Sequence, residues 1–282
     1  MELLVLSDLD TVFYTKTGFL ALLLYDSLLQ IEHEYRFIWK SRWTLIKCLY
    51  LWTRYIAIFN GIMSLVNSTA CNKVTTFITI SGGFTISVTE MILMVRTYTL
   101  YERSKKLLLF FFVVWFGAGG FAFWDSTQWA KGGSFLSSES DGNSCWFTQD
   151  NRNSFGLICY LTLLIGESVI VLLTLGLVLR KFFRNLSGLF KSLYCDGIWY
   201  FIAILPWTIA TVVILLTVRP GLNNIPDTPL LAMHAILACR LVLHARQIAA
   251  EEDWRESRIN KIFGGQYMIS DIVVDIRSDN QV

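Results

Sequence analysis

The sequence predicts an all-α membrane protein with seven transmembrane helices, an exterior N-terminus and a cytosolic C-terminus. Of its 282 residues, 54% are hydrophobic and only 16% are charged, whereas soluble domains carry about 25% charged residues. The charged residues concentrate in short connectors between long apolar runs, which is typical of a chain that crosses a bilayer several times. The formal net charge of +2 gives no reason to expect a nucleic-acid partner.

Seven apolar segments are candidate spans, since a helix needs about 20 residues to cross a bilayer. They cover residues 12–30, 44–67, 75–100, 107–124, 154–179, 193–217 and 228–246. The last segment is the weakest, because Pro226 and Pro229 precede it and Arg240 interrupts it. Six spans is therefore the alternative topology. The organisation expected is a membrane domain over residues 1–246 and a polar cytosolic tail over residues 247–282.

The basic residues of the short loops predict the orientation. The loops 31–43, 101–106 and 180–192 hold ten lysines and arginines, against five on the opposite side. These three loops are therefore expected in the cytosol. The lipid bilayer is the expected constant partner, and the localisation expected is multi-pass insertion in the plasma membrane or a secretory-pathway membrane.

Two cysteines, Cys71 and Cys145, are expected on the exterior side, where disulfides persist. A bond between them would close a loop of about 75 residues over the mouth of the bundle. Two unpaired thiols are the alternative. Asn67 begins an Asn-Ser-Thr sequon on the same side and is a candidate for glycosylation.

Four ionisable residues inside the apolar segments are candidates for an intramembrane polar network: Asp26, Arg54, Glu90 and Glu167. Each such group costs at least about 2.5 kcal/mol at membrane depth, so these groups tend to pair inside a bundle. An Arg54–Glu90 ion pair is expected, with Asp26 as a competing partner for Arg54. The pair would either fix helix packing or act as a ligand-gated or proton-linked switch.

No catalytic motif is found, whether HExxH, CxxC, a phosphate-binding glycine loop or a nucleophile elbow. His234 and His244 are ten residues apart, which points them to different faces of one helix. The sequence therefore predicts no enzymatic activity, catalytic residue, metal ligand or cofactor. Pro206 predicts a kink in the sixth span, which is either a hinge or a static bend.

Residues 22–59 contain a characteristic set of aromatic and charged residues, several of which are adjacent in the sequence. The set comprises Tyr25-Asp26, Glu32, Glu34, Trp39-Lys40, Arg42-Trp43 and Arg54-Tyr55. It resembles the N-terminal signature of a family of basidiomycete seven-span membrane proteins of unknown function, and residues 96–106 and 235–246 resemble that family's later spans. The resemblance implies a fungal seven-helix architecture with no established activity.

The architecture is also similar in outline to G-protein-coupled receptors. Arg96 lies near the inner end of the third span, Cys71 at its outer end, and Pro206 in the sixth span. Val95 precedes Arg96 where those receptors have an acid, and the last segment lacks NPxxY. The contact residues of those receptors therefore do not carry over.

Three functions are compatible with this sequence. The first is a receptor-like bundle that recognises a small-molecule or peptide ligand and signals to a cytosolic partner, with Arg96, Tyr98 and Tyr101 on its cytosolic face. The second is a transporter or proton-linked carrier that uses the intramembrane charges. The third is a structural partner in a membrane assembly.

Overall fold

The computed structural model describes residues 2–65, 71–101, 104–132, 134–137, 145–148, 154–182, 188–217 and 225–279. Within these ranges the chain forms seven α-helices, one short π-helical turn and two short strands. In chain order they are α1 (Glu2–Glu34), the π-helical turn (Tyr35–Trp39), α2 (Leu45–Met63), α3 (Cys71–Leu100), α4 (Lys105–Gly132), β1 (Ser134–Ser137), β2 (Cys145–Thr148), α5 (Ser154–Phe182), α6 (Gly188–Thr217) and α7 (Asp227–Asp279).

Four helical stretches are long and apolar enough to cross a membrane. They are Asp10–Trp39, Thr76–Thr99, Leu157–Leu177 and Asp227–Arg255, which fall on the first, third, fifth and seventh predicted segments. Helix α6 adds a shorter apolar stretch, Ile202–Thr217. These helices are consistent with a protein embedded in a membrane.

A pair of short strands accompanies the helices. Helix α4 continues to Gly132, past the predicted end of the fourth span at residue 124, and β1 and β2 then pair antiparallel. Ser134 lies opposite Thr148, and Ser137 lies opposite Cys145. The connection between α4 and α5 is therefore partly a β-hairpin.

The chain divides into two compact units, Met1–Val242 and Leu243–Val282. The membrane domain over residues 1–246 and the cytosolic tail over residues 247–282 stay predictions. The second unit is helical as far as Asp279 and exposes charged side chains. In it, the Arg258 guanidinium lies 4.0 Å from the centre of the Trp254 ring.

In the first unit, the beginning of α7 lies at the centre of the packing. One buried cluster joins α1, α2 and α7 through Leu23, Ala57, Leu231, Ala235 and Ile236. A second buried cluster contains residues of all five helices from α3 to α7: Leu93, Met94, Phe111, Ile170, Ile204 and Leu241. The apolar window of α7 is 78% buried, against 17% for those of α1 and α5. The segment with the weakest sequence signal is thus the most enclosed of the four candidate spans.

The junction between α1 and α2 positions the first polar network. Helix α1 continues to Glu34, past the predicted end of the first span at residue 30. Helix α2 begins after Thr44, whose side-chain oxygen accepts a hydrogen bond from the Lys47 backbone N–H at 3.3 Å. The Lys47 ammonium donates back to the carbonyls of Trp39 and Ser41 at 3.2 and 3.0 Å. These bonds fix the connector that turns the chain back on itself.

Candidate functional site

A buried carboxylate, Glu34, is the centre of a polar network between α1 and α2. Its Oε2 lies 2.9 Å from the Arg54 guanidinium, and its Oε1 accepts from the Tyr55 hydroxyl at 2.7 Å and the Trp39 indole at 3.1 Å. The Tyr50 hydroxyl donates to Oε2 at 3.4 Å. Both oxygens of Glu34 are therefore hydrogen-bonded, and its charge faces a buried arginine.

Arg54 is held by α1 and not by the third helix. Besides its pairing with Glu34, it donates to the Ser27 carbonyl at 2.7 Å. The expected Arg54–Glu90 pair is therefore wrong. The first helix extends four residues beyond its predicted end at residue 30. Glu34, expected in a loop, therefore lies on α1 within reach of Arg54.

Asp26, the other acid expected near Arg54, pairs with Arg240 of α7. Its Oδ1 lies 2.7 Å from the Arg240 Nε and 2.6 Å from Nη2. The Asp26 side chain is buried, whereas the Arg240 side chain is 41% exposed. Of the four residues predicted to form one network, Asp26 and Arg54 thus lie in separate ion pairs.

The other two, Glu90 and Glu167, lie close together around a third residue, His234. The three come from α3, α5 and α7, and all are buried. The His234 Nε2 lies 2.8 Å from Glu167 Oε1 and 3.9 Å from Glu90 Oε1. We call these three residues the acid–histidine cluster.

Neighbouring groups orient the acid–histidine cluster. The His234 Nδ1 lies 3.0 Å from the Leu230 carbonyl oxygen. Because a carbonyl only accepts, Nδ1 carries a proton and Nε2 is the nitrogen that faces the acids. The Thr208 hydroxyl donates to Glu167 Oε1 at 2.9 Å.

The acid–histidine cluster is not fully satisfied. Among the described residues, Glu90 Oε1 and Glu167 Oε2 have no hydrogen-bond partner, although Glu90 is only 7% exposed and Glu167 only 2%. Buried polar atoms are normally hydrogen-bonded, so two unpartnered carboxylate oxygens indicate a place for a proton, a cation or a ligand group.

A cavity of about 260 Å³ lies beside this cluster. Residues of α1, α2, α3, α4, α5 and α7 line it, and the lining is mostly apolar. Two carboxylates are part of the lining: Glu90, and Asp227, which accepts from the Tyr160 hydroxyl at 2.7 Å. Glu90 therefore belongs both to the cavity wall and to the acid–histidine cluster.

The sequence predicted that Glu90 and Glu167 belong to an intramembrane polar network, but it did not predict His234 as their partner. The position of His234 was considered only relative to His244 on the same helix. One feature of the sequence could have indicated this partner. His234 is an imidazole inside the seventh apolar segment, which is predicted to run in the same direction as the third and fifth segments, where Glu90 and Glu167 lie. What the sequence lacked was knowledge of which helices are neighbours.

The residues predicted for a cytosolic face take part in packing between helices. The Tyr101 hydroxyl donates to the Leu173 carbonyl of α5 at 2.8 Å, and Tyr98 packs against the core cluster that spans α3 to α7. Arg96 is half-buried on α3. A role of these residues in contacting a cytosolic partner stays a prediction.

Helix α6 continues through Pro206, whose side chain is exposed. Hinge function at Pro206 stays a prediction. Asn67 and the side chains of Cys71 and Cys145 lie outside the residues that the structure describes, so the glycosylation and the disulfide also stay predictions.

The comparisons with known proteins reach only the first two helices. Residues 14–59 match a family of unknown function, DUF6533. No curated protein and no solved structure matches the chain. The matched stretch contains every residue of the Glu34 network and none of the acid–histidine cluster.

Proposed function

We propose that this protein is a seven-span, receptor-like membrane protein that binds a small, mainly apolar molecule in the cavity beside Glu90. The cavity is the observation that carries the proposal, because ligand sites are concave, mainly apolar and equipped with a few polar groups. Its volume of about 260 Å³ is slightly below the usual range of about 300–1,000 Å³. The ligand is therefore a small molecule.

Seven spans require α2, α4 and α6 to cross the bilayer as well, and the 30 residues of α6 are long enough to do so. The 19 residues of α2 extend about 28 Å, close to the hydrocarbon thickness of about 30 Å. Helix α4 exposes large apolar side chains along one face, including Leu109, Phe112, Val113 and Phe116. Such a surface is a liability in water and is suited to lipid. The basic loops then orient the protein with a cytosolic C-terminus.

Glu90 connects ligand binding to the helix bundle. A donor or cationic group of the ligand would meet this carboxylate, which lies 3.9 Å from His234 of α7. A ligand that prefers one position of Glu90 would shift the balance between two arrangements of α3, α5 and α7. Such a shift is what a cytosolic partner would recognise through the basic loops.

A cavity-filling variant tests this proposal. A Cβ atom added at Gly119 or at Gly120 would meet no other atom within 4 Å, but only Gly119 lines the cavity. We expect Gly119→Phe to abolish binding of small apolar amines and alcohols and Gly120→Phe to leave it unchanged. Thermal shifts of the purified protein in nanodiscs, measured against a panel of such compounds, provide the readout. Equal responses of the two variants would refute the cavity as a ligand site.

A proton-linked carrier is the second candidate, because Glu90 and Glu167 each have a buried oxygen without a hydrogen-bond partner among the described residues. It predicts proton uptake into proteoliposomes on addition of a compound that binds, and loss of that uptake in Glu167→Gln. Binding without flux would favour the receptor, and an absence of both would favour a structural role in a membrane assembly.

A further inference from the structure

We infer that Glu90, Glu167 and His234 form a binding site for one divalent transition-metal ion, of the class of Zn²⁺ or Mn²⁺. The inference concerns the acid–histidine cluster itself and holds whether or not the neighbouring cavity binds a ligand. It rests on the geometry of the three side chains, on the groups that orient them and on their charge.

The geometry suits a shared ion. The three side chains each offer one ligand atom, and these atoms lie within 4.8 Å of one another. Ligands about 2.0–2.2 Å from a common Zn²⁺ ion are about 3–3.5 Å apart. The separations of 2.8 Å and 3.9 Å between His234 Nε2 and the two glutamate oxygens lie on either side of this value. Small side-chain rotations are enough to complete the coordination.

The surrounding groups prepare the ligands. A metal-binding histidine usually donates its other ring N–H to a carbonyl or a carboxylate, which fixes the tautomer. His234 has this arrangement, since its Nδ1 faces the Leu230 carbonyl at 3.0 Å and its Nε2 faces the acids. Ligating carboxylates are in turn hydrogen-bonded, as Glu167 is by Thr208.

The charge of the cluster fits a divalent ion. The 2.8 Å contact between His234 Nε2 and Glu167 Oε1 requires a shared proton, which a bound metal ion would displace. Two ionised glutamates and a neutral imidazole then carry a charge of −2, and buried charges are normally paired or bound to metal. Arg54 and Arg240 are each paired with another acid, Glu34 and Asp26. An ion bound here would also provide a partner for Glu90 Oε1, and for Glu167 Oε2 where Glu167 binds through both of its oxygens.

The donor set selects the class of metal. One imidazole nitrogen and two carboxylate oxygens, without a thiolate, suit Zn²⁺, Fe²⁺ or Mn²⁺ better than soft copper(I). Three protein ligands leave at least one coordination position open. The ion would also join three helices, α3, α5 and α7, that are far apart in the chain.

The test uses the full-length protein, purified with an affinity tag that contains no histidine and reconstituted in nanodiscs. After dialysis, elemental analysis should find up to one transition-metal ion per chain. Stripping with a chelator should lower the melting temperature, and Zn²⁺ or Mn²⁺ should restore it, whereas Mg²⁺ should not. Binding of Co²⁺ should give visible absorption bands that contain an imidazole contribution.

Variants locate the ion. His234→Gln and Glu167→Gln should lose the bound ion, and Thr208→Val should keep the fold and bind Zn²⁺ about 10- to 100-fold more weakly, as expected for a group that only orients a ligand. His33→Gln is the matched control, because His33 is exposed and stacks on Phe37. It should bind Zn²⁺ as the wild type does.

Failure to bind Zn²⁺ or Mn²⁺ at millimolar concentration would overturn the inference, as would unchanged binding in His234→Gln. If His234→Gln and Glu167→Gln do not fold, Thr208→Val decides. Wild-type affinity in that variant would refute the site.

Discussion

Two buried polar networks, one between α1 and α2 and one among α3, α5 and α7, differ in how completely they are satisfied. In the first, Glu34 accepts hydrogen bonds from three aromatic side chains and pairs with Arg54. In the second, Glu90 and Glu167 share a single histidine, and each has an oxygen with no hydrogen-bond partner in the described part of the chain. The first network is complete without any further component, whereas the second has room for one.

This difference indicates a structural role for the first network and a functional role for the second. A complete network of buried charges fixes the packing of two helices, and removing one member leaves an uncompensated charge. An incomplete network next to a cavity is where a proton, an ion or a ligand can act. The match to the family of unknown function covers the complete network together with Leu23 and Ala57 of the cavity wall, and it does not reach the acid–histidine cluster.

The largest expected effect comes from breaking the complete network. Arg54→Met should lower the free energy of unfolding by about 3–5 kcal/mol, because it leaves Glu34 buried without its cation. The measurement is denaturant-induced unfolding in mixed micelles. Arg36→Met is the matched control, because the Arg36 side chain is exposed and lies over the Phe37 ring, and its loss should cost at most about 1 kcal/mol. Equal losses in the two variants would contradict the comparison.

A smaller effect is expected when one hydrogen bond to Glu34 is removed. Tyr55→Phe deletes the 2.7 Å bond from its hydroxyl, and a hydrogen bond to a charged group contributes about 1.5–3 kcal/mol. Tyr14→Phe is the control, since Tyr14 is 71% exposed and its change should stay within about 0.5 kcal/mol. The same unfolding assay measures the stability of both variants. A Tyr55→Phe variant as stable as the control would show that the Glu34 network is not complete, because its loss of a hydrogen bond would then carry no cost.

The smallest effect is expected in the incomplete network. With a chelator present, Glu90→Gln should change the free energy of unfolding by less than about 1 kcal/mol, because an oxygen that makes no hydrogen bond has none to lose. The amide has nearly the volume of the acid, so packing is retained. A loss as large as that of Arg54→Met would show that Glu90 is a packing residue like Glu34.

The sequence predicted the helical architecture well because long apolar runs leave few alternatives to a helix in a membrane. The sequence predicted the structure less well where the end of a helix depends on a tertiary contact. The extension of α1 to Glu34 is charged and polar, so the hydropathy of residues 31–43 favoured a loop, and the pairing with Arg54 was missed. The two strands beyond α4 carry too few residues to show a pattern.

The acid–histidine cluster could be predicted only in part. Glu90 and Glu167 are conspicuous because carboxylates inside apolar segments are rare. Their meeting at His234 depends on the packing of α7 between helices that lie far away in sequence, and a single sequence contains no record of that neighbourhood.

The span of chain that each network joins has a consequence for biosynthesis. The contacts of Glu34 and Arg54 connect residues 16 to 27 positions apart, so they can form once the first two helices have been synthesised. The contact between Glu167 and His234 connects residues 67 positions apart, and that between Asp26 and Arg240 connects residues 214 apart. The helical hairpin of α1 and α2 is thus expected to be assembled early in translation, whereas the acid–histidine cluster cannot exist until the ribosome has delivered α7.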